Sequence, residues 1–102
     1  MYMSNMLPED TLIVTRHSGL VEWLKRHGIE GVVKPQVTPA DVEGKHVIGV
    51  LPLALAARAV SITTVDMPGL RPDQRRVDLT PEEMDAAGAT LATYTVLKVD
   101  EV

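Results

Sequence analysis

The segment Thr15-Arg16-His17-Ser18-Gly19 combines a permanent cation, an imidazole and hydroxyl groups. It follows a β-branched apolar run and precedes a segment of helical periodicity, which indicates a strand-to-helix turn. Amides at a helix N-terminus attract anions, arginine can bind a phosphate through two parallel hydrogen bonds, and an imidazole can move protons near neutrality. We therefore predict a phosphate site here. In the alternative interpretation, Ser18 only caps the helix while Arg16 and His17 are solvated.

A second candidate turn spans Gly49 to Leu53 (GVLPL). Leu51 carries no side-chain acceptor that could cap the following helix, so the amides of Leu53 and Ala54 lack an obvious internal partner. A bound phosphate or an adenine edge could accept from these amides, and water could do so equally well. The ligand-binding candidates at this turn are Leu51, Pro52 and Leu53.

The loop sequence RPDQRR supplies the remaining basic candidates, Arg71, Arg75 and Arg76. These arginines could form a lid over an anion, although charged loops often serve solubility alone. The net charge of the whole chain is −4, the wrong sign for a non-specific nucleic-acid binder. We therefore expect no binding to long DNA or RNA, whereas a small anionic ligand at a local basic site stays open.

Several classes of protein are excluded by motifs that the chain lacks. It has no cysteine, no glycine-rich dinucleotide or P-loop motif, and no HExxH zinc motif. No His/carboxylate cluster has metal-ligand spacing, so we predict neither a metal nor a cofactor. No apolar run is long enough to span a membrane, and residues 1–10 lack the blocks of a secretory signal. We expect a cytoplasmic protein without membrane contact.

Hydrophobic periodicity, together with residues that start or stop helices, predicts the strands and helices that must position these residues. The predicted strands are Thr11–Arg16, Val32–Val37, His46–Leu51, Ser61–Asp66 and Leu91–Val99. The predicted helices are Gly19–His27, one turn capped by Thr38 before Pro39, the nearly all-apolar Pro52–Val60, and a short helix from the Thr80/Glu83 capping box to about Ala87.

The alternation of strands and helices predicts a single α/β domain over residues 11–102. Its five-stranded sheet should be mostly parallel, with helices on both faces. The apolar third strand should be central, and Pro35 should place the second at an edge. About eight residues join these two strands, too few for an ordinary parallel crossover, so the link is a tight turn-helix or the strands are not neighbours. Residues 1–10 form an N-terminal extension that could be disordered.

Three runs together carry a family resemblance: IVTRHSGLVEWLKRHGI, HVIGVLPLALAARAV, and VDMPGLR followed by LTPEEMDAAGATLATYTV. They contain an R-H-x-G-x-x-E-W strand end, a G-x-L-P strand exit and a late L-T-x-E-E-x-x-x-x-G-A segment. Over about residues 12–99 the chain resembles small CRISPR-associated proteins of type III systems. Members of that family look like Rossmann-type domains related to cyclic oligoadenylate sensors, and some act as ring nucleases.

The resemblance implies a homodimeric enzyme that opens cyclic tetra-adenylate and so ends an antiviral signal. Arg16, His17 and Gly19 fall on the strand-end motif, and Leu51 and Pro52 fall on the second exit. We assign catalysis to Arg16 and His17 on chemical grounds: a 2′-hydroxyl attacks its own 3′-phosphodiester without a metal, giving 2′,3′-cyclic phosphate ends.

Three other functions stay open on the sequence alone. A non-catalytic sensor could bind the same nucleotide, because arginine and helix amides serve binding as well as cleavage. A histidine-phosphatase-like enzyme could use the Arg16-His17 pair, although no second histidine is evident at a strand exit. The chain could also be a structural subunit of the interference complex.

Overall fold

The computed structural model describes residues 8–74 and 78–102. Its strands are β1 (Thr11–Val14), β2 (Val32–Lys34), β3 (His46–Ile48), β4 (Ser61–Asp66) and β5 (Thr90–Tyr94). Its α-helices are α1 (Ser18–Arg26), α2 (Pro39–Val42), α3 (Leu53–Ala56) and α4 (Pro81–Ala86). Short 3-10 turns lie at Pro8–Asp10 and Pro72–Gln74. The predicted N-terminal extension falls outside the described residues over positions 1–7.

All five strands form one sheet in the order β2-β1-β3-β4-β5. The first four run parallel, and β5 pairs antiparallel with β4. This confirms a mostly parallel sheet with β3 at its centre and β2 at an edge. The short link from β2 to β3 is accommodated because β1 lies between them and the single turn of α2 makes the crossing.

Helices cover both faces of the sheet, as predicted. On one face, α1 and α4 pack over the sheet through a cluster that consists of Ile13, Trp23, Leu24, Ile48, Leu79 and Met84. On the other face, α2 and the segment after α3 pack through Leu12, Val42, Val47 and Ala59. Successive residues of β1 and β3 thus enter opposite cores, as the two-residue repeat of a strand requires.

The third helix is much shorter than the predicted Pro52–Val60. It ends at Ala56, because the chain must return to the start of the sheet, where the amide of Val60 donates to the carbonyl of Lys45 (2.8 Å). The described residues do not cover this nearly all-apolar helix on two sides, since Leu53 is 74% exposed.

The last strand also ends before the predicted Val99. Tyr94 pairs with Ile62, so residues beyond Thr95 would run past the first residue of β4, Ser61. The alternating apolar pattern continues in the sequence, but no strand is left to pair with it. Leu97 and Val99 are accordingly exposed. Among the described residues, no helix has the length and apolar character needed to cross a membrane.

Candidate functional site

A cleft of about 440 Å³ opens at the carboxyl ends of the parallel strands. We call it the carboxyl-end cleft, and it is lined by Val14, Thr15, Arg16, His17, Leu20, Pro35, Gly49, Val50, Val65, Met67, Leu70, Gln74, Asp78, Leu79 and Met84. It lies where the chain leaves β1 toward one side of the sheet and β3 toward the other. This is the point at which open α/β sheets generally bind ligands.

The lining of the carboxyl-end cleft is divided by chemistry. Its floor and inner wall are apolar, formed by side chains such as Leu20, Val65, Met67 and Met84. Charged and polar groups stand at the mouth, on the turn between β1 and α1 and on the loop before α4. Such a site can bury an apolar ring and hold a charged group beside solvent.

Glycine is required where β3 leaves the sheet beside this cleft. Gly49 has a φ of +146°, and a Cβ atom there would lie 2.6 Å from the carbonyl oxygen of Val14. The close approach lets β3 turn directly over the end of β1. Val50 then follows with its side chain 85% exposed at the rim of the cleft.

The β1–α1 turn brings Thr15, Arg16 and His17 into the cleft together. His17, rather than Ser18, is the N-cap residue of α1, and its backbone amide donates to the Thr15 hydroxyl oxygen (3.1 Å). The side chains of Arg16 and His17 are exposed. Arg16 makes no ion pair within residues 8–74 and 78–102.

A carboxylate from a distant loop reaches this turn. Asp78 accepts hydrogen bonds from the Gly19 amide and the Ser18 hydroxyl, both at 3.3 Å. One of its carboxylate oxygens also lies 3.8 Å from His17 Nδ1. Asp78 therefore caps α1 from outside the helix, and one of the N-terminal amides that were predicted to attract a phosphate, that of Gly19, already has an acceptor in the protein.

Gly19 permits this arrangement by its lack of a side chain. A Cβ atom at Gly19 would lie 1.7 Å from the carbonyl oxygen of Leu79. The backbone after Asp78 thus packs directly on the first turn of α1, where any other residue would collide with it. The position of Gly19 is explained by packing, independently of a ligand.

The second predicted turn divides between the two faces of the sheet. Gly49 and Val50 line the carboxyl-end cleft, but Leu51, Pro52 and Leu53 are not among its lining residues. Leu51 packs against the core on the opposite face. Within the described residues no side chain caps α3, and its first amides have no side-chain acceptor there, as predicted.

In the described part of the arginine loop, the cleft is lined by neighbours of the predicted Arg71 and not by Arg71 itself. Arg71 is exposed and pairs with Asp73 (3.3 Å), and its amide donates to the Gln74 side chain. Gln74 itself lines the cleft, together with Met67 and Leu70. Arg75 and Arg76, predicted to contribute to a lid, lie outside the described residues.

Sequence reasoning missed Asp78 and Gln74. Asp78 stands 59 positions after Gly19, and only the packing of α4 against α1 brings the two together. The Thr80/Glu83 capping box did predict where α4 begins, and it is present in full. A carboxylate two residues before that box was the available signal, but nothing local specifies which helix it reaches.

Contacts between α1 and α4 fix the relative positions of Asp78 and the turn. The buried Trp23 indole donates to Asp85 (2.7 Å), and its ring centroid lies 4.2 Å from that of His27. Arg26 forms an ion pair with Glu82. The hydrogen bond from Arg26 lowers the pKa of Glu82 below its usual range. His27 thus belongs to the interface between α1 and α4.

The described residues contain no group of three or more His, Asp or Glu that could hold a metal ion. His46, at the amino end of β3, lies within hydrogen-bond distance of Ser61 (2.9 Å). Of the chain's three histidines, only His17 lines the carboxyl-end cleft. Among its described lining residues the cleft offers one arginine, one imidazole, the Asp78 carboxylate and apolar walls, and the arginine and the apolar walls suit phosphate and ring recognition.

The fold and this cleft define a small α/β protein with a basic turn at the carboxyl ends of its parallel strands. Residues 12–97 match the model of a family described as "Putative CRISPR-associated protein (Cas_VVA1548)". The chain belongs to this family of CRISPR-associated proteins. No curated protein and no solved structure matches it.

Proposed function

We propose that this protein is a ring nuclease that opens cyclic tetra-adenylate in the carboxyl-end cleft. The observation that carries the proposal is the pairing of the Arg16 cation and the His17 imidazole at the mouth of an apolar cleft. Membership in a family of CRISPR-associated proteins supports it, because some of the type III proteins that the sequence resembles act as ring nucleases. A Rossmann-like classification belongs to the same proposal and is supported by the helix-covered, mostly parallel sheet.

In the proposed reaction, the substrate supplies its own nucleophile. A ribose 2′-oxygen forms a bond to the adjacent phosphorus as its proton leaves to a base, and the bond from phosphorus to the 5′-oxygen breaks. The departing 5′-oxygen takes up a proton. The products are a 2′,3′-cyclic phosphate and a 5′-hydroxyl, so atoms and charge balance without water or an added nucleophile.

Arg16 and His17 have different roles in this step. Arg16 pairs with the phosphate oxygens, on which negative charge grows in the transition state. His17 moves the proton of the 2′-hydroxyl or of the leaving oxygen. Because Nδ1 of His17 faces Asp78, the opposite ring nitrogen, Nε2, is the one that can meet a ligand. The neighbouring hydroxyl of Thr15 already accepts from the His17 amide and thereby steadies the turn.

Two alternative functions are to be compared with the proposed ring nuclease. A phosphatase of the two-histidine type finds no support, since His27 and His46 lie away from the cleft. A sensor that binds cyclic tetra-adenylate without cleaving it would use the same Arg16 and the same apolar walls. Analysis of the reaction products distinguishes this sensor from the proposed ring nuclease.

Incubation of the purified protein with cyclic tetra-adenylate should give linear adenylates with 2′,3′-cyclic phosphate ends, resolved by chromatography and mass. The rate should be unchanged in excess EDTA, because the nucleophile is internal and Arg16 supplies the positive charge. The same reaction with the Arg16→Ala protein is the control. Intact ring after prolonged incubation would reject the enzyme in favour of a sensor. Activity that is lost with chelator and restored by Mg²⁺ would reject the metal-free scheme.

A homodimer forms part of the proposal. A two-fold axis would place two copies of the β1–α1 turn around a ring of matching symmetry. Val50, at the rim of the cleft, and Leu53, the first residue of α3, are large hydrophobic residues that are 85% and 74% exposed, and they suit a pairing surface. Light scattering with ligand present should give twice the 11.1 kDa chain mass. A single-chain mass at all protein concentrations would remove the dimer.

A further inference from the structure

A second cleft, of about 430 Å³, lies on the other side of the Arg16–His17 turn. We call it the edge cleft, because it runs between α1 and the edge strand β2; it is lined by Thr15, Arg16, His17, Ser18, Val21, Glu22, Val33 and Pro35. Thr15, Arg16, His17 and Pro35 line both clefts. The turn thus forms a wall that the two clefts share, and the volume of each cleft is within the range of small-ligand sites.

The charged residues of the two clefts limit where a phosphate can bind. Glu22 lines the edge cleft, and its carboxylate would repel a phosphate placed there. Asp78 lines the carboxyl-end cleft beside His17, where the Gly19 amide and the Ser18 hydroxyl donate to its carboxylate. The remaining walls are largely apolar and suit a ring. Among the lining residues that the structure describes, which exclude positions 75–77, the one permanent cation is Arg16, on the shared wall. A phosphate is therefore best placed at the wall, with an uncharged group on either side.

We propose that the two clefts hold the two nucleosides joined by one phosphodiester, with that phosphate on the Arg16–His17 wall. This inference rests on the proposed function for the class of ligand, and it adds that the ring is recognised as a dinucleotide unit. Glu22 is the specificity-determining residue of the edge cleft. A carboxylate only accepts hydrogen bonds, so Glu22 favours a base with an amino group, such as adenine.

The chain offers a matched pair of variants for a test. Val32 and Val33 are neighbours on β2 with similar exposure, 46% and 44%, but only Val33 lines the edge cleft. Tryptophan is well accepted in strands, so Val33→Trp fills the edge cleft while Val32→Trp adds the same bulk on the other face of the strand. Circular dichroism checks that both variants fold.

Binding is measured by NMR titration with three probes: adenosine 3′-monophosphate, adenosine 5′-monophosphate, and an ApA dinucleotide with fluorine in place of its 2′-hydroxyls. The dinucleotide should bind the parent protein at least about tenfold more tightly than either mononucleotide. Val33→Trp should remove that advantage and weaken one mononucleotide while sparing the other. Val32→Trp should leave all three affinities unchanged.

The inference is overturned if the dinucleotide binds no more tightly than the mononucleotides, or if Val32→Trp and Val33→Trp have equal effects. Because the fluorinated probe cannot be cleaved, these results stand whether or not the protein opens the ring. If the protein opens the ring but does not bind the dinucleotide, the two-cleft arrangement is wrong and the proposed function stands.

Glu22→Gln carries the same test if Val33→Trp does not fold. Hypoxanthine replaces the adenine amino group by a carbonyl, so the parent protein should disfavour hypoxanthine about tenfold at one of the two positions of the dinucleotide. Glu22→Gln should abolish that preference, because an amide both donates and accepts. Glu30→Gln, an exposed glutamate outside both clefts, is the control. An unchanged preference in Glu22→Gln contradicts the assignment.

Discussion

His17→Ala should lower the single-turnover rate of ring opening by at least about 100-fold, because a positioned proton-transfer group contributes roughly 10²- to 10⁴-fold. The affinity for cyclic tetra-adenylate should change much less, since the benefit of moving a proton belongs to the transition state. Rapid mixing with excess protein measures the rate, and titration of an uncleavable 2′-fluoro ring measures the affinity.

The matched control is His27→Ala. His27 lies at the other end of α1, half exposed, and does not line the carboxyl-end cleft. Its removal takes away a ring contact to Trp23 but should leave the single-turnover rate at the parental value. Cleavage by His17→Ala at the parental rate would end the case for proton transfer at this turn.

Asp78 makes a second variant informative about His17. Asp78→Asn keeps an acceptor for the Gly19 amide, so α1 should stay capped, but it removes the negative charge that lies 3.8 Å from His17 Nδ1. An imidazole gains positive charge when it accepts a proton, and a nearby carboxylate stabilises that charge. A role of Asp78 in the reaction would therefore appear in kcat, whereas a purely structural role would appear in the stability of the fold.

The sequence predicted the sheet well because its signals are local. The β-branched run at Thr11 marks β1, Pro35 ends β2 at an edge, and the capping boxes at Thr38 and Thr80 mark two helix starts. Each of these signals acts within a few residues. They were sufficient to place Arg16 and His17 at the carboxyl end of a parallel strand, where both residues line the carboxyl-end cleft.

What the sequence could not predict depends on contacts between distant segments. Asp78 fills the first turn of α1 because α4 packs on α1, through Trp23 to Asp85 and Arg26 to Glu82. The helix after Pro52 is shortened by the return of the chain to the sheet, and β5 is shortened by the length of its partner β4. Apolar periodicity carries no information about where a neighbouring element ends.

The contact with Asp78 changes what is expected of Arg16. The Gly19 amide in the first turn of α1 already donates to Asp78 and is not free for a phosphate. Binding of the phosphate therefore depends more strongly on the Arg16 guanidinium. Arg16→Ala should therefore weaken binding of the uncleavable ring by about 10- to 100-fold, the range for hydrogen bonds to a charged group. It should also flatten the dependence of affinity on salt, because one phosphate contact is lost.

Arg16→Lys separates geometry from charge. Lysine keeps the positive charge but loses the planar pair of donors, so affinity should fall by about tenfold while the salt dependence stays close to that of the parent. The cleavage rate should fall as well, because a single ammonium group cannot bind two phosphate oxygens in the transition state as a guanidinium does. Arg58→Lys is the matched control, since Arg58 is exposed, pairs with Glu43 and lies outside both clefts. If Arg16→Ala binds the ring as tightly as the parent protein at low salt, the phosphate does not lie at this turn, and neither charge nor geometry at Arg16 explains recognition.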